Sequence, residues 1–155
     1  MELDTILKAE AVKVVSSATS KKRLFRDLSE TAASAYGLDC GVVLDRLLER
    51  ESLGPTGVGH GVALPHARLA GLDNVLGLFI LLEKPLDYES VDRQPVDLIF
   101  ALFAPEDSGV EHLKALALVS RTLRNTDFCT KLRANPSSDT LYTILTETQA
   151  AIRAA

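Results

Sequence analysis

Two cysteines are all this 155-residue chain has, Cys40 and Cys129, and they lie far apart. That spacing makes neither a disulfide framework nor a zinc knuckle, so both are expected to be reduced thiols. Positive charge is short as well: 17 Lys and Arg face 21 Asp and Glu, for a net charge of −4. A general nucleic-acid binder needs a basic face to neutralise phosphates, and no such partner is expected. Met1-Glu2-Leu3-Asp4 lacks the basic start and apolar run of an export signal. The longest apolar run, Val75 to Leu82, falls far short of the roughly 18 residues of a membrane span. A cytoplasmic protein with no membrane insertion is the expectation. What the chain does have is a hydrophobic content of 46%, enough for one core, and residues 1–155 are read as a single domain.

Periodicity supplies the elements. Leu3 to Leu7 suits a short helical turn, and Ala11 to Val15 an edge strand. Leu24, Leu28, Ala32 and Tyr36 recur four apart after a capping Ser20 and before Gly37, which predicts an amphipathic helix. Asp39 caps a second helix with Val43, Leu44, Leu47 and Leu48 inward, stopped at Gly54. Val75–Leu82 and Val96–Phe103 are continuous apolar runs, as in strands covered on both faces, with Glu83 to Pro95 as a surface excursion. Ser108-Gly109-Val110-Glu111 is a capping box opening a helix whose stripe is Leu113, Leu116, Ser120 and Leu123, with His112 in its first turn. A short helix over Asp127–Ala134 and a last one capped by Ser138, with Leu141, Ile144, Leu145 and Ile152 inward, complete the chain. The expected fold class is α/β, a mixed sheet with helices on both faces.

One stretch stands out: Gly54, Gly57, Gly59 and Gly61 fall within eight residues, followed by a short apolar strand closed by Pro65 and His66. The glycines lack the lysine of a nucleotide-binding P-loop and the spacing of a dinucleotide fingerprint, and there is no G-x-S-x-G or H-E-x-x-H. No motif calls for a cofactor or a metal. Glycines alone often serve as punctuation between elements. The histidines, however, His60, His66 and His112, all fall at expected element boundaries. A histidine at the end of a buried strand beside a glycine loop stands where open α/β folds present ligands. His66 is accordingly the candidate nucleophile, carrying a phosphoryl group, with a polar connection expected after it.

Order and spacing then become specific. Glu51, six residues, Val58-Gly59, two residues, and Val62-Ala63-Leu64-Pro65-His66-Ala67 resemble the phosphorylation-site signature of the fructose/mannitol class of enzyme IIA domains of the bacterial phosphotransferase system. Thr56-Gly57-Val58-Gly59, Asp92 through Leu102 and His112-Leu113 follow in the order of the nitrogen-regulatory enzyme IIA, the branch this chain looks most like. The resemblance implies the enzyme IIA fold and a chain phosphorylated on His66 by a phosphohistidine carrier protein (HPr/NPr-like). The phosphorylation state would then act on regulatory target proteins. His112 matches the second active-site histidine and Arg50 the arginine beside the motif, both stabilising phosphate, while Glu51 matches a motif position better suited to orienting the loop. The alternative is a sugar-specific IIA passing its phosphate to a IIB domain. The length leads to the expectation of a freestanding domain without attached IIB or membrane parts. One departure is His60, where the resembled proteins commonly have asparagine. It could donate to phosphate, make the site sensitive to pH, or do nothing.

Overall fold

The computed structural model describes residues 1–107 and 109–154. In chain order it has α1 (Leu3–Ile6), β1 (Leu7–Val15), α2 (Lys21–Tyr36), α3 (Cys40–Ser52), β2 (Gly57–Gly59), β3 (Val62–Ala63) and β4 (His66–Leu69). There follow β5 (Leu76–Leu86), β6 (Val96–Pro105), α4 (Gly109–Leu123), α5 (Thr126–Arg133) and α6 (Ser138–Ala154). The capping residue Ser108 and the side chain of Ile152 lie outside what is described.

The sheet is centred on its two most apolar strands. Leu78 to Leu82 of β5 and Leu98 to Ala104 of β6 are buried without alternation, so neither strand has a face it can show to water and both faces are covered. The order is β1-β5-β6-β3-β2, with β4 also on β6. β5 and β6 pair antiparallel, whereas β1 on β5 and both β3 and β4 on β6 are parallel, which makes the sheet mixed as expected. α2 packs on α3, β1 and β5, α3 on β4, α6 on β1 and α1, and α4 on β6 and α5. Three of the expected caps hold: Ser20 accepts from the N–H of Arg23 and Asp39 from that of Val42, while Gly37 closes α2 in the left-handed region; Ser138 is instead the first residue of α6.

At the edge, the register of β1 shifts between Leu7 and Val12, which leaves ladder groups to be satisfied from elsewhere. Tyr36, the last residue of α2, does this. Its hydroxyl accepts the N–H of Lys8 at 3.1 Å and donates to the carbonyl of Gly77 at 2.6 Å.

Three expectations need correcting. His66 does not close a strand; it opens β4, which runs on to Leu69 where a polar connection was expected. β3 and β4 are one strand interrupted at Leu64-Pro65, with the register kept across the gap, Val62 opposite Leu98 and His66 opposite Leu102. The cause is Pro65, which has no N–H to give the ladder and contributes only its carbonyl, to the N–H of Leu102. Next, Glu83–Pro95 is not wholly a surface excursion: β5 continues to Leu86, and Tyr88 beyond it is completely buried. Finally, α4 buries His112, Ala115, Leu118, Val119 and Leu123, so of the expected stripe Leu123 is buried, Leu116 and Ser120 are half-buried, and Leu113 is 66% exposed. Two apolar faces run along this helix, and a 3.6-residue period fits either.

Gly77 sits where β5 runs tightest. A Cβ there would stand 2.8 Å from Cε1 of Phe100 and 3.2 Å from the carbonyl of Ile6, and neither a buried ring nor backbone can yield cheaply. Gly77→Ala is predicted to lower stability by about 2 kcal/mol, read from the midpoint of urea unfolding at unchanged slope.

Candidate functional site

The glycine stretch folds as a small hairpin. β2 and β3 pair antiparallel, Gly57 opposite Ala63, and the turn Gly59-His60-Gly61 has positive φ at all three positions. Past the end of β2 the N–H of Leu64 still donates to the carbonyl of Thr56 at 2.9 Å. In a strand a residue's N–H and C=O point to the same side, so the Leu64 carbonyl faces the side where the partner strand has ended. His66 Nδ1 lies 2.9 Å from that carbonyl oxygen. A carbonyl can only accept, so Nδ1 carries the proton and Nε2 the lone pair.

Arg50, on the last turn of α3, approaches from the other side. Its Nε donates to His66 Nε2 at 3.3 Å and its Nη1 to the carbonyl of Gly54 at 3.0 Å. From α4 comes His112, 5% exposed, with its ring centroid 5.4 Å from that of His66 and the two planes at 74°. Arg50, His66 and His112, expected together from the sequence, are brought together, and with Arg46 and Arg68 they line a cavity of about 420 Å³.

Both imidazoles are held neutral. Burial lowers the pKa of His66, and the Arg50 guanidinium adds to this, against the opposing pull of the Leu64 carbonyl. Burial again, then the charges of His66 and Arg68, push His112 down to about 4. Among the described residues its buried Nε2 has no hydrogen-bond partner. A neutral imidazole with a defined lone pair beside guanidinium groups has the chemistry to attack an electrophile that carries negative charge.

Glu51 turns inward beneath Arg50. Its carboxylate accepts from Lys21 Nζ at 3.0 Å, the Thr56 N–H at 2.9 Å, the Thr56 hydroxyl and the Tyr88 hydroxyl at 3.2 Å. Lys21 Nζ also lies 4.3 Å from the centroid of the Tyr88 ring. Glu51 thus has the loop-holding place expected of it. Lys21 and Tyr88 were missed from the sequence. Tyr88 carried a signal nonetheless, as an aromatic within an otherwise polar excursion.

His60 stands apart from the three. It is an exposed residue at φ 57°, and its partners are backbone ones: its N–H donates to Asp92 Oδ2 at 2.9 Å, and Arg133 Nη2 donates to its carbonyl at 3.0 Å. Left-handed backbone is where asparagine and histidine are both enriched, so the turn accounts for the exchange without any role in the site. Among the described residues no group of three or more His, Cys, Asp or Glu could hold a metal ion, and no helix is long and apolar enough to cross a membrane.

Residues 5–148 match the family described as phosphoenolpyruvate-dependent sugar phosphotransferase system, EIIA 2. The chain belongs to this family. Among its relatives, the nitrogen regulatory protein of Bradyrhizobium diazoefficiens is 43% identical over 145 residues, covering 94% of this chain and 95% of that one. The crystal structure of the nitrogen regulatory protein IIA-Ntr from Neisseria meningitidis superposes with a TM-score of 0.83 at 34% identity, over 92% of this chain and 97% of the other. The fructose-specific EIIA component of the phosphotransferase system of Haloferax volcanii is more distant, 30% identical over 94% of this chain and 96% of its own. The expected resemblance holds, and it favours the nitrogen-regulatory branch of the EIIA family over the sugar-specific one.

Two outcomes follow from this arrangement. Glu51→Ala strands the Thr56 N–H and leaves Lys21 unpaired, while the Thr56 and Tyr88 hydroxyls keep each other at 2.7 Å; an expected loss of about 3 kcal/mol is measured by chemical denaturation. His112 binds no proton in the folded protein between its ordinary pKa and about 4, whereas the unfolded chain does. The unfolded state therefore binds more protons in that window, and stability falls as pH falls through it. The contribution of His112 amounts to about 3 kcal/mol across the window. Its ring resonances should stay flat from about pH 8 to 5, and His112→Gln should flatten the fall in stability over the same range.

Proposed function

We propose that this enzyme IIA accepts a phosphoryl group on Nε2 of His66 from a phosphohistidine carrier protein (HPr/NPr-like), and acts as a nitrogen or metabolic regulator through its phosphorylation state. The observation that carries the reading is the hydrogen bond between His66 Nδ1 and the Leu64 carbonyl, which leaves the Nε2 lone pair on the side of Arg50.

In the step itself, the lone pair on Nε2 forms the new P–N bond as the P–N bond to the carrier's histidine breaks. The electron pair of the broken bond stays on the carrier's imidazole nitrogen. Nδ1 keeps its proton, so the phosphorylated ring is cationic, and its hydrogen bond to Leu64 becomes charge-assisted. Negative charge spreads over the three phosphoryl oxygens in transit, and donors fixed around them matter more than covalent help. Arg50 supplies a planar fork of N–H groups, which it can turn from Nε2 to the oxygens while Nη1 stays anchored on Gly54. His112, neutral at first, gains affinity for a proton once an anion lies beside it, and so supports the phosphorylated state.

Incubation with enzyme I, phosphoenolpyruvate and the carrier should label the wild type and leave His66→Ala unlabelled. Equal labelling of the two overturns the assignment. His112→Ala and Arg50→Ala should label slowly, by about 10²-fold, with the acceptor intact. Presenting the labelled protein to sugar-specific IIB domains separates regulator from transporter: retained label supports the regulatory reading, and rapid transfer the sugar-specific one.

A further inference from the structure

We propose that Arg133 and Asp97 are positioning residues for His66: their ion pair clamps the far end of the β2–β3 hairpin, and through the hairpin it keeps the Leu64 carbonyl aimed at Nδ1. The effect on phosphoryl transfer rests on the function proposed above; the effect on the His66 ring does not.

The hairpin that delivers this carbonyl is a weak element taken alone. β2 has three residues and β3 two, with a register shift between Gly57 and Gly59, and a two-stranded ribbon so short has no stability of its own. β3 is laid on β6, but β2 is the last strand of the sheet and pairs with β3 alone. At its base β2 is tied through Thr56 to Glu51. The tip is tied separately.

Three elements meet there. Asp92, in the segment before β6, accepts the N–H of His60 at 2.9 Å. The N–H groups of Asp97 and Leu98 both donate to the carbonyl of Gly61 at 3.0 Å. Arg133, in the last turn of α5, closes the third side. Its Nε and Nη2 donate to the two carboxylate oxygens of Asp97 at 2.8 and 2.9 Å, and Nη2 donates also to the carbonyl of His60 at 3.0 Å. A guanidinium that grips a carboxylate through two parallel bonds is fixed in its plane, and the bond to His60 is fixed with it.

Gly61 shows that the turn is built around this pair. At its φ of 80° a Cβ would stand 2.5 Å from Nη2 of Arg133 and 3.0 Å from Oδ1 of Asp97. The guanidinium therefore fills the space that a side chain at position 61 would take. Folding stability alone does not account for such a contact: the two side chains are 36% and 15% exposed, and ion pairs open to water contribute little. A cation in the last turn of a helix is favourable without any partner, yet this one reaches across to another element. What it fixes is the tip of a ribbon whose chain arrives at His66 within about 17 Å of Gly61.

Arg133→Ala and Asp97→Ala provide the test, with Tyr36→Phe as a comparison that removes hydrogen bonds at the opposite edge of the sheet. Long-range 1H–15N spectra recorded well above the ordinary histidine pKa of about 6.5 should show His66 of the wild type as one tautomer, protonated on Nδ1. In both clamp variants the shifts of Nδ1 and Nε2 should move toward each other as the second tautomer is populated, and in Tyr36→Phe they should stay. Labelling by the phosphorylated carrier at saturation should fall about tenfold in either clamp variant, with the half-saturating carrier concentration little changed. The double variant should be no slower than Arg133→Ala, as expected of two residues acting as a unit. Unmoved His66 nitrogens in Arg133→Ala, the same movement in Tyr36→Phe, a loss carried by half-saturation alone, or additive losses in the double variant overturns the proposal. If the wild type takes no label on His66, the function proposed above fails on that ground, and the tautomer of the ring still decides the clamp.

Discussion

The carboxylate of Glu51 is the point from which the site is held. It collects Lys21 from α2, both donors of Thr56, and the Tyr88 hydroxyl from the segment between β5 and β6. A buried carboxylate is tolerable only when its lone pairs are filled and its charge is matched, and here one cation and three further donors meet both conditions. The chain of consequences is short. Thr56, fixed by Glu51, presents its carbonyl to Leu64; Leu64 presents its carbonyl to Nδ1 of His66. Arg50, the neighbour of Glu51 on the same last turn of α3, reaches Nε2 of the same ring. The two nitrogens of His66 are thus set by backbone and side chain descending from one anchored pair of residues.

The interruption at Leu64-Pro65 gives the arrangement its access. An unbroken strand beside a full-length β2 would spend the Leu64 carbonyl on the ladder and leave Nδ1 to water. Because β2 does not extend back beside Leu64 and Pro65 has no N–H to give the ladder, that carbonyl is available while the strand keeps its register on β6. The glycines serve this plan in a narrower way than expected. Gly57 lies against Ser90, where a Cβ would come within 2.9 Å of the Ser90 Cα. Gly59 and Gly61 supply the left-handed turn around His60. They build the hairpin, and the hairpin positions the carbonyl.

Much of this was legible in the sequence because local rules and tertiary structure agree. The caps at Ser20, Asp39 and Gly37 and the doubly buried strands follow from side-chain chemistry within a few residues. The signature around His66 picked out residues that the fold does bring together, since its spacing is specific. What was misread depends on partners distant in sequence. Whether α4 buries Leu113 or Leu118 is decided by β6 and α5, not by period. Tyr88 looks like a loop residue until Glu51 and Lys21, far away in the chain, are seen to receive it. The break at Pro65 could have been read as the end of a strand or as a gap within one, and only the unchanged register on β6 separates these.

The proposed chemistry asks His66 to be two things in turn, and the surroundings are biased toward the first. Attack requires a neutral ring, which burial and the Arg50 charge favour; the phosphorylated ring is cationic, which the same two influences oppose. The Leu64 carbonyl and the negative charge of the phosphoryl group itself work in the opposite direction, and Arg50 changes sides when its donors turn to the oxygens. A phosphoryl group held under that opposition is not buried in a deep well. On the proposed reading such a group would be held for transfer, and the occupancy of His66 would follow the phosphorylation of its donor in both directions. A regulator read through its phosphorylation state needs that reversibility more than it needs tight retention, and under the proposed function the half-buried position of His66 beside an open cavity would supply it.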